Sequence, residues 1–305
     1  MAVFILKRLG LALLVALTVS FLSFSLLFMA GDPAVAIAGE NASAEDIALV
    51  NERYGFDRPM IVQYGDWLGS AVTGDLGDSW YFDIPVTELI ADRLTVTMKL
   101  GLFAITLALA VAIPLGVAAA ANPNSLIDRF ALFLSVVGQA IPSFWFGLIL
   151  IVIFSIKLRL LPASGNETWQ NFVLPTVVLG YYATPAIMRL TRAGMMEVLS
   201  SDYIRTARAK GLRTRKVMFK HALRNAIIPV VSLAAVQMGF MLGGSIVVET
   251  VFALHGAGYL AWESIARNDL PTMQALILIF STFYILFTFL ADVLNAWLDP
   301  RLRVG

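Results

Sequence analysis

The chain has no cysteine among its 305 residues. Disulfides and thiolate metal sites are therefore excluded. Histidine occurs twice, at His221 and His255. That is too few for a His-based metal centre, and no metal site is expected. Charge is scarce: 14% of residues are Asp, Glu, Lys or Arg, against about 25% in an ordinary soluble domain. A net charge of +1 supplies no global field for nucleic acid, so none is expected as a partner. The sequence also lacks G-x-x-x-x-G-K-[ST], H-E-x-x-H and G-x-S-x-G. Gly256-Ala257-Gly258 lacks the third Gly and the strand-turn-helix setting of a dinucleotide site, and reads as a turn. The expectation is a chain that is no enzyme and binds no cofactor of its own.

What is abundant is apolar surface. The chain is 59% hydrophobic with a mean hydropathy of +0.79, which places it among integral membrane proteins. A bilayer span needs roughly 20 mostly apolar residues. Six runs qualify: Leu9–Ala30, Val96–Ala121, Ala131–Ile156, Phe172–Leu190, Ile227–Val248 and Gln274–Trp297. The first also has the basic start (Lys7, Arg8) and the Ala34-Val35-Ala36 sequence of a secretory signal. Its apolar run exceeds the roughly 7–15 residues of a signal core, so it reads as an uncleaved span. Lys99, Arg189 and Asp292 lie near span ends. Asp292, close to the inner end, reads as a structural or interfacial acid. A proton- or sodium-coupled carrier would need more ionisable groups near the midplane. The chain reads instead as a conduit driven from elsewhere.

The loops differ in sign. Residues 32–95 carry twelve acids against Arg53, Arg58 and Arg93, whereas residues 189–226 carry ten Lys or Arg against Glu197 and Asp202. Positive charge beside spans stays cytoplasmic. The basic segment and both termini (Lys7, Arg8; Arg301, Arg303) are therefore expected inside, and six spans allow this. Glu249, Glu263 and Asp269 against Arg267 suit an outer loop; Lys157 and Arg159 dissent mildly. Segment 32–95 mixes Tyr54, Phe56, Tyr64, Trp67, Trp80, Tyr81 and Phe82 with Gly and Asp. So many aromatics argue against disorder. It reads as a small extracytoplasmic insertion with one or two short helices, one of them running from a Ser43 cap to a Gly55 stop.

"SDYIRTARAKGLRTRKVMFKHALRN", residues 201–225, holds eight of the 22 Lys and Arg. Ser201 or Asp202 can cap a helix with Tyr203 to Lys210 as its body. Tyr203, Ala207 and Gly211 fall at i, i+4 and i+8, on one face. That face narrows to Ala and Gly, and Arg205, Arg208 and Lys210 flank it. The pattern suits a helix docking into a partner's groove and equally suits a solvated basic loop that only fixes orientation. Pro142, beside Gln139 and Ser143, can break the third span and free carbonyls to line a cavity. Gln237, Met238 and Met241 are further lining candidates; helix packing is the alternative for each.

"RTARAKG", Arg205 to Gly211, resembles the E-A-A-x-x-x-G loop of the membrane subunits of ATP-binding-cassette importers, with Arg205 and Thr206 in place of the Glu and first Ala. Its later Leu-Pro falls at Leu223-Arg224. The whole chain is similar to B-type permeases of dipeptide, oligopeptide and nickel importers. The resemblance is carried by "GDP" (Gly31–Pro33), "YGFDRPMIVQYGDWL" (Tyr54–Leu68), "GDLGDS" (Gly74–Ser79), "IPLGV" (Ile113–Val117), "IPSFWFG" (Ile141–Gly147), "LPASG" (Leu161–Gly165), "DYIRTARAKGL" (Asp202–Leu212), "HALRNAIIPVV" (His221–Val231), "VVETVF" (Val247–Phe252) and "LDPRLR" (Leu298–Arg303).

The resemblance implies an all-α integral membrane protein of the type I importer fold: one permease domain, residues 1–305, with six transmembrane helices. The extracytoplasmic insertion would lie within it at 32–95 and a cytoplasmic coupling segment at 201–225. It implies a bacterial or archaeal cytoplasmic membrane. The implied partners are a homologous C-type permease, two ATPase subunits that bind ATP and Mg, an extracytoplasmic solute-binding protein and membrane lipid. Asp202, Tyr203, Arg205, Ala207, Arg208, Lys210 and Gly211 would form the coupling contact. A stand-alone secondary transporter or channel, and a scaffold or receptor that recruits a partner without transport, remain the alternatives from other classes.

Overall fold

The computed structural model describes residues 2–30, 32–39 and 42–298. Gly31 of "GDP", and the C-terminal stretch with Arg301 and Arg303, lie outside the described residues. Among those described, helices dominate and no strand forms; only an isolated bridge joins Asp78 to Pro85.

Helix α1, Ala2–Ala30, buries little within the chain and exposes Leu9, Leu13 and Leu22. In lipid such faces cost nothing, because acyl chains are as apolar as leucine. The insertion then forms α2 (Pro33–Ala38), α3 (Ala44–Tyr54) and α4 (Met60–Val72). Ser43 and Asp46 close a capping box on α3, and Gly55 ends it at φ +67°. The Ser43 hydroxyl holds the Asp46 carboxyl below the usual carboxylate range. The described part of residues 32–95 is thus richer in helix than the sequence suggested.

The insertion is fastened twice. Tyr64 of α4 and Ser20 of α1 share a 2.7 Å hydrogen bond, with Phe24 and Trp67 packed alongside. At the other side, Ser79 Oγ donates to Asp269 Oδ2 at 2.6 Å and the Trp80 N–H donates to Oδ1 at 3.0 Å. Asp269 lies in a loop, between the helices Ala257–Ala266 and Leu270–Leu298, as expected, yet it is 1% exposed. The two donors compensate its burial.

Helix α5 spans Val86–Ala121, so residues 86–95 belong to a helix and not to the insertion proper. Next come α6 (Leu126–Ala140) and α7 (Ser143–Leu150), which continues as a π-helix over Ile151–Lys157. The run expected as one span, Ala131–Ile156, is therefore two helices bent by 103° at Ile141–Pro142. Proline has no N–H to donate and its ring clashes with the preceding turn, so a break falls there. The two ends of this pair lie at opposite ends of the bundle. Asp128 at its start meets Arg192 near the end of α8 (Val173–Leu199). Beyond its far end, the Gly165 N–H donates to the Phe252 carbonyl, just past α12. The bent pair is one broken span, and with five long apolar helices it makes six.

The remaining elements are α9 (Asp202–Ala209), α10 (Thr214–Lys216), a π-turn at Val217–Ala222, α11 (Leu223–Ala226), α12 (Ile228–Val251), α13 (Ala257–Ala266) and α14 (Leu270–Leu298). α14 pairs with α1 through Arg8–Asp292 at 3.0 Å, so Asp292 has the structural role its position suggested.

The core runs along α5 and α8, where glycine lets backbones approach. A Cβ on Gly180 would sit 2.8 Å from the Ala104 carbonyl oxygen, and one on Gly116 2.8 Å from that of Met188. Replacing Gly180 with Leu is expected to cost about 1–3 kcal/mol through overpacking. Thermal unfolding in detergent measures it; an unchanged midpoint would mean that the two helices do not touch there.

Candidate coupling helix and pathway wall

α9 is short, and its geometry divides it cleanly. Ser201 takes the N-cap position, but its hydroxyl donates back to the Val198 carbonyl and caps nothing. Ile204 and Ala207, three residues apart, share one face. They are buried with Val117, Met195, Val217, Met218 and Ala222. This clamps α9 onto α8 and the π-turn. On the flank, Asn225 Nδ2 donates to the Tyr203 hydroxyl at 2.7 Å, tying α9 to α11.

The expected stripe of Tyr203, Ala207 and Gly211 is therefore split. Ala207 faces this chain's own interior, because it pairs with Ile204, while Tyr203 and Gly211 stay exposed. Gly211 adopts φ +72° and ends the helix: its N–H donates to Arg208 O, and the Leu212 N–H to Ala207 O. That left-handed conformation favours glycine. A Cβ there would meet nothing within 4 Å. Asp202 and Arg205 form an ion pair with each other. Arg208 and Lys210 are exposed, and neither has an acidic partner among the described residues. The outward surface of the segment is thus Asp202, Tyr203, Arg205, Thr206, Arg208, Ala209, Lys210 and Gly211.

The lining candidates separate in the same way. Met238 and Met241 are buried in the main core, and Met238 lies against Gly101. They serve helix packing. Gln237 is half-buried. Gln139, Pro142 and Ser143 stand together at the break: Gln139 and Pro142 are exposed, Ser143 half-buried. Gln139 accepts a 3.0 Å hydrogen bond from Arg189 Nη1, which also donates to Ser135 Oγ at 3.2 Å.

Sequence reasoning missed a polar knot at the outer end. Glu249, expected in an outer loop, lies inside α12 and is 0% exposed. Thr97 Oγ1 of α5 donates to its Oε1 at 2.7 Å, and the Tyr259 N–H in the first turn of α13 donates to its Oε2 at 2.8 Å. The Ala257 N–H completes the knot by donating to Thr97 Oγ1 at 2.8 Å. Gly256 and Gly258 leave room for the carboxyl group: a Cβ on either would come within 3.0 Å of it. Those glycines, read as a turn, were the only available signal. Among the described residues no group of His, Cys, Asp and Glu could hold a metal ion.

Known proteins share both sequence and architecture. Residues 112–304 match the family described as the binding-protein-dependent transport system inner membrane component, and residues 1–101 match the N-terminal region of such membrane components. The chain is 42% identical to the glutathione transport system permease protein GsiC of Salmonella typhimurium and 41% identical to that of Escherichia coli K12. Each match covers 98% of both sequences. The membrane subunit fold recurs in inward-facing structures of the MetNI methionine ABC transporter, with a TM-score of 0.58 at 17% identity over 69% of this chain and 96% of that one. The chain thus belongs to the binding-protein-dependent inner membrane permeases, and is a permease subunit of an ABC importer in the peptide and nickel group.

Proposed function

We propose that this permease forms half of the translocation pathway of an importer for peptides and glutathione-like solutes, and that α9 couples it to ATP hydrolysis. A homologous C-type permease supplies the other half. Two ATPase subunits, carrying ATP and Mg, take the cytoplasmic side, and a solute-binding protein delivers cargo to the acidic insertion outside. Both termini and residues 201–225 are cytoplasmic, as the positive charge beside the spans favours.

The observation that carries this reading is the two-sidedness of α9. Ile204 and Ala207 root it in the chain's own core, while Arg208, Lys210 and Gly211 stand free. A helix fixed at its base transmits a push instead of flexing. When ATP binding draws the ATPases together, the seated helix moves with them, and the spans shift population from inward-open to outward-open. The likeness to glutathione permeases directs the substrate class towards short peptides.

The test is the reconstituted complex of all subunits in lipid. Arg208→Glu combined with Lys210→Glu is expected to lower binding-protein-stimulated hydrolysis about tenfold or more, equivalent to ~1.4 kcal/mol of docking energy. Yield in the membrane should not change, since neither side chain is buried. Unchanged stimulation would move the coupling contact elsewhere. Uptake without any ATPase would make the chain a secondary carrier.

A further inference from the structure

Arg189 is a cation at an unusual place. It lies ten residues before the end of α8, about 15 Å along the helix at 1.5 Å per residue. Its guanidinium reaches Gln139, which is about 20 Å from the start of α6 and next to the break at Ile141–Pro142. Arg189 is one turn from Arg192, whose pair with Asp128 marks the inner end of the bundle, but Gln139 is eleven residues, about 16 Å, along α6 from Asp128, so the guanidinium reaches from that end toward the break. It is exposed, and no acid pairs with it among the described residues. Neighbouring intramembrane charges are treated differently: Arg192 pairs with Asp128 at 2.6 Å, and Arg8 with Asp292 at 3.0 Å. Lys99, also unpaired, stands near the outer end of the bundle beside Thr97 and has a flexible stem that can snorkel to water.

Arg189 is held instead of free. Only Nη1 is used, by Gln139 Oε1 and Ser135 Oγ. The two bonds fix the plane of the guanidinium and leave the Nε–Nη2 edge without a partner among the described residues. An edge of that kind is shaped for a carboxylate, which it binds with two parallel hydrogen bonds. A fixed, unpaired charge facing acyl chains is strongly unfavourable, so the surface around Gln139 and Arg189 faces away from lipid, toward the pathway or the partner permease. Tyr182, seven residues before Arg189 on the same side of α8, is exposed too and extends this face.

We propose that Arg189, oriented by Gln139 and Ser135, is a carboxylate-binding group on the pathway wall that engages the carboxylate of a peptide solute in transit. This deepens the importer reading and rests on it. The broken span adds acceptors: the last carbonyls of α6, ahead of Pro142, lose their intrahelical partners. The site then offers donors from Arg189 for a carboxylate and acceptors at the end of α6 for peptide N–H groups.

The experiment uses the complete complex in proteoliposomes and two forms of one peptide, with a free C-terminal carboxylate or a C-terminal amide. The uptake ratio of Arg189→Gln to wild type is read for each, which cancels any preference of the binding protein. The ratio is expected to fall about tenfold to hundredfold for the free carboxylate, the worth of a lost charged hydrogen-bond pair, and to stay near one for the amide. Equal loss for both forms, or no loss for either, overturns the proposal. Failure of wild type to import either form with ATP would instead overturn the importer reading.

A second arm does not depend on amide transport or on the Gln variant assembling. The chain has no cysteine, so Arg189→Cys places a single thiol in it. A charged, membrane-impermeant methanethiosulfonate should modify that thiol, the carboxylate peptide should slow the reaction, and an aminoethyl reagent should restore uptake by restoring the positive charge. An unreactive thiol would mean that lipid or the partner permease covers position 189, and the proposal would fail.

Discussion

Glu249→Ala is expected to lower the stability of the chain by about 3–5 kcal/mol. The substitution strands Thr97 Oγ1 and the Tyr259 N–H, each at ~1–3 kcal/mol, and leaves a cavity. The damage should spread, because the carboxyl group is the point at which α5, α12 and α13 meet. Glu249→Gln should cost less than Ala but remain harmful: its carbonyl can accept one of the two bonds, while its NH2 faces the other donor. Gly256→Ala should resemble the loss of the carboxyl group, since its Cβ would lie 2.5 Å from Oε2 and 2.6 Å from Thr97 Oγ1. Unfolding midpoints of the purified chain in detergent, followed by tryptophan fluorescence, give the ranking. Wild-type stability in Glu249→Ala would show that α13 is held by packing alone. α13 packs against α12, α14 and α5 at the outer end of the bundle. A weaker knot should also loosen the outer end, visible as raised basal ATP hydrolysis in the complex.

This knot shows where sequence reading stops. Spans are written in long apolar runs, because a bilayer demands about 20 such residues from each helix. The helices accordingly fall where those runs fall, and the break of the third span falls at its proline. The helix of the insertion is legible from Ser43 to Gly55, since capping chemistry is local. Pairings across the fold are not local. Glu249 and Asp269 look like solvated acids in a one-dimensional sequence, and both are buried by donors far away along the chain. α9 carries the same lesson on a smaller scale. Helical periodicity identifies its faces, but it cannot say which face the chain keeps for itself. Ile204, three residues before Ala207, is the residue that decides, by drawing Ala207 inward. Likewise Arg189 reads as a span-end charge until the packing of α6 on α8 places Gln139 beside it. Local signals locate elements; function here lies in groups that only the packing brings together.

Gly211→Trp is expected to abolish binding-protein-stimulated hydrolysis while the protein still inserts and assembles. Two effects of this change can be separated. The first is conformational: at φ +72° most side chains cost about 1–2 kcal/mol, and asparagine less than others. The second is steric. Within this chain a Cβ at 211 meets nothing within 4 Å, so a side chain there starts into open space. Bulk added beyond the Cβ therefore tests for a partner seated on α9. The series Asn, Ala, Trp therefore discriminates. Asn keeps the left-handed turn and should retain most of the stimulation. Ala carries the strain without the bulk and should lose part of it. Trp adds the bulk and should fall at least about tenfold below Ala, or ~1.4 kcal/mol in coupling. If Ala and Trp are equally impaired, the turn matters but no partner lies against it. If all three hydrolyse ATP like wild type, Arg208 and Lys210 mark a solvated loop, and the motion of the ATPases reaches the spans by another contact.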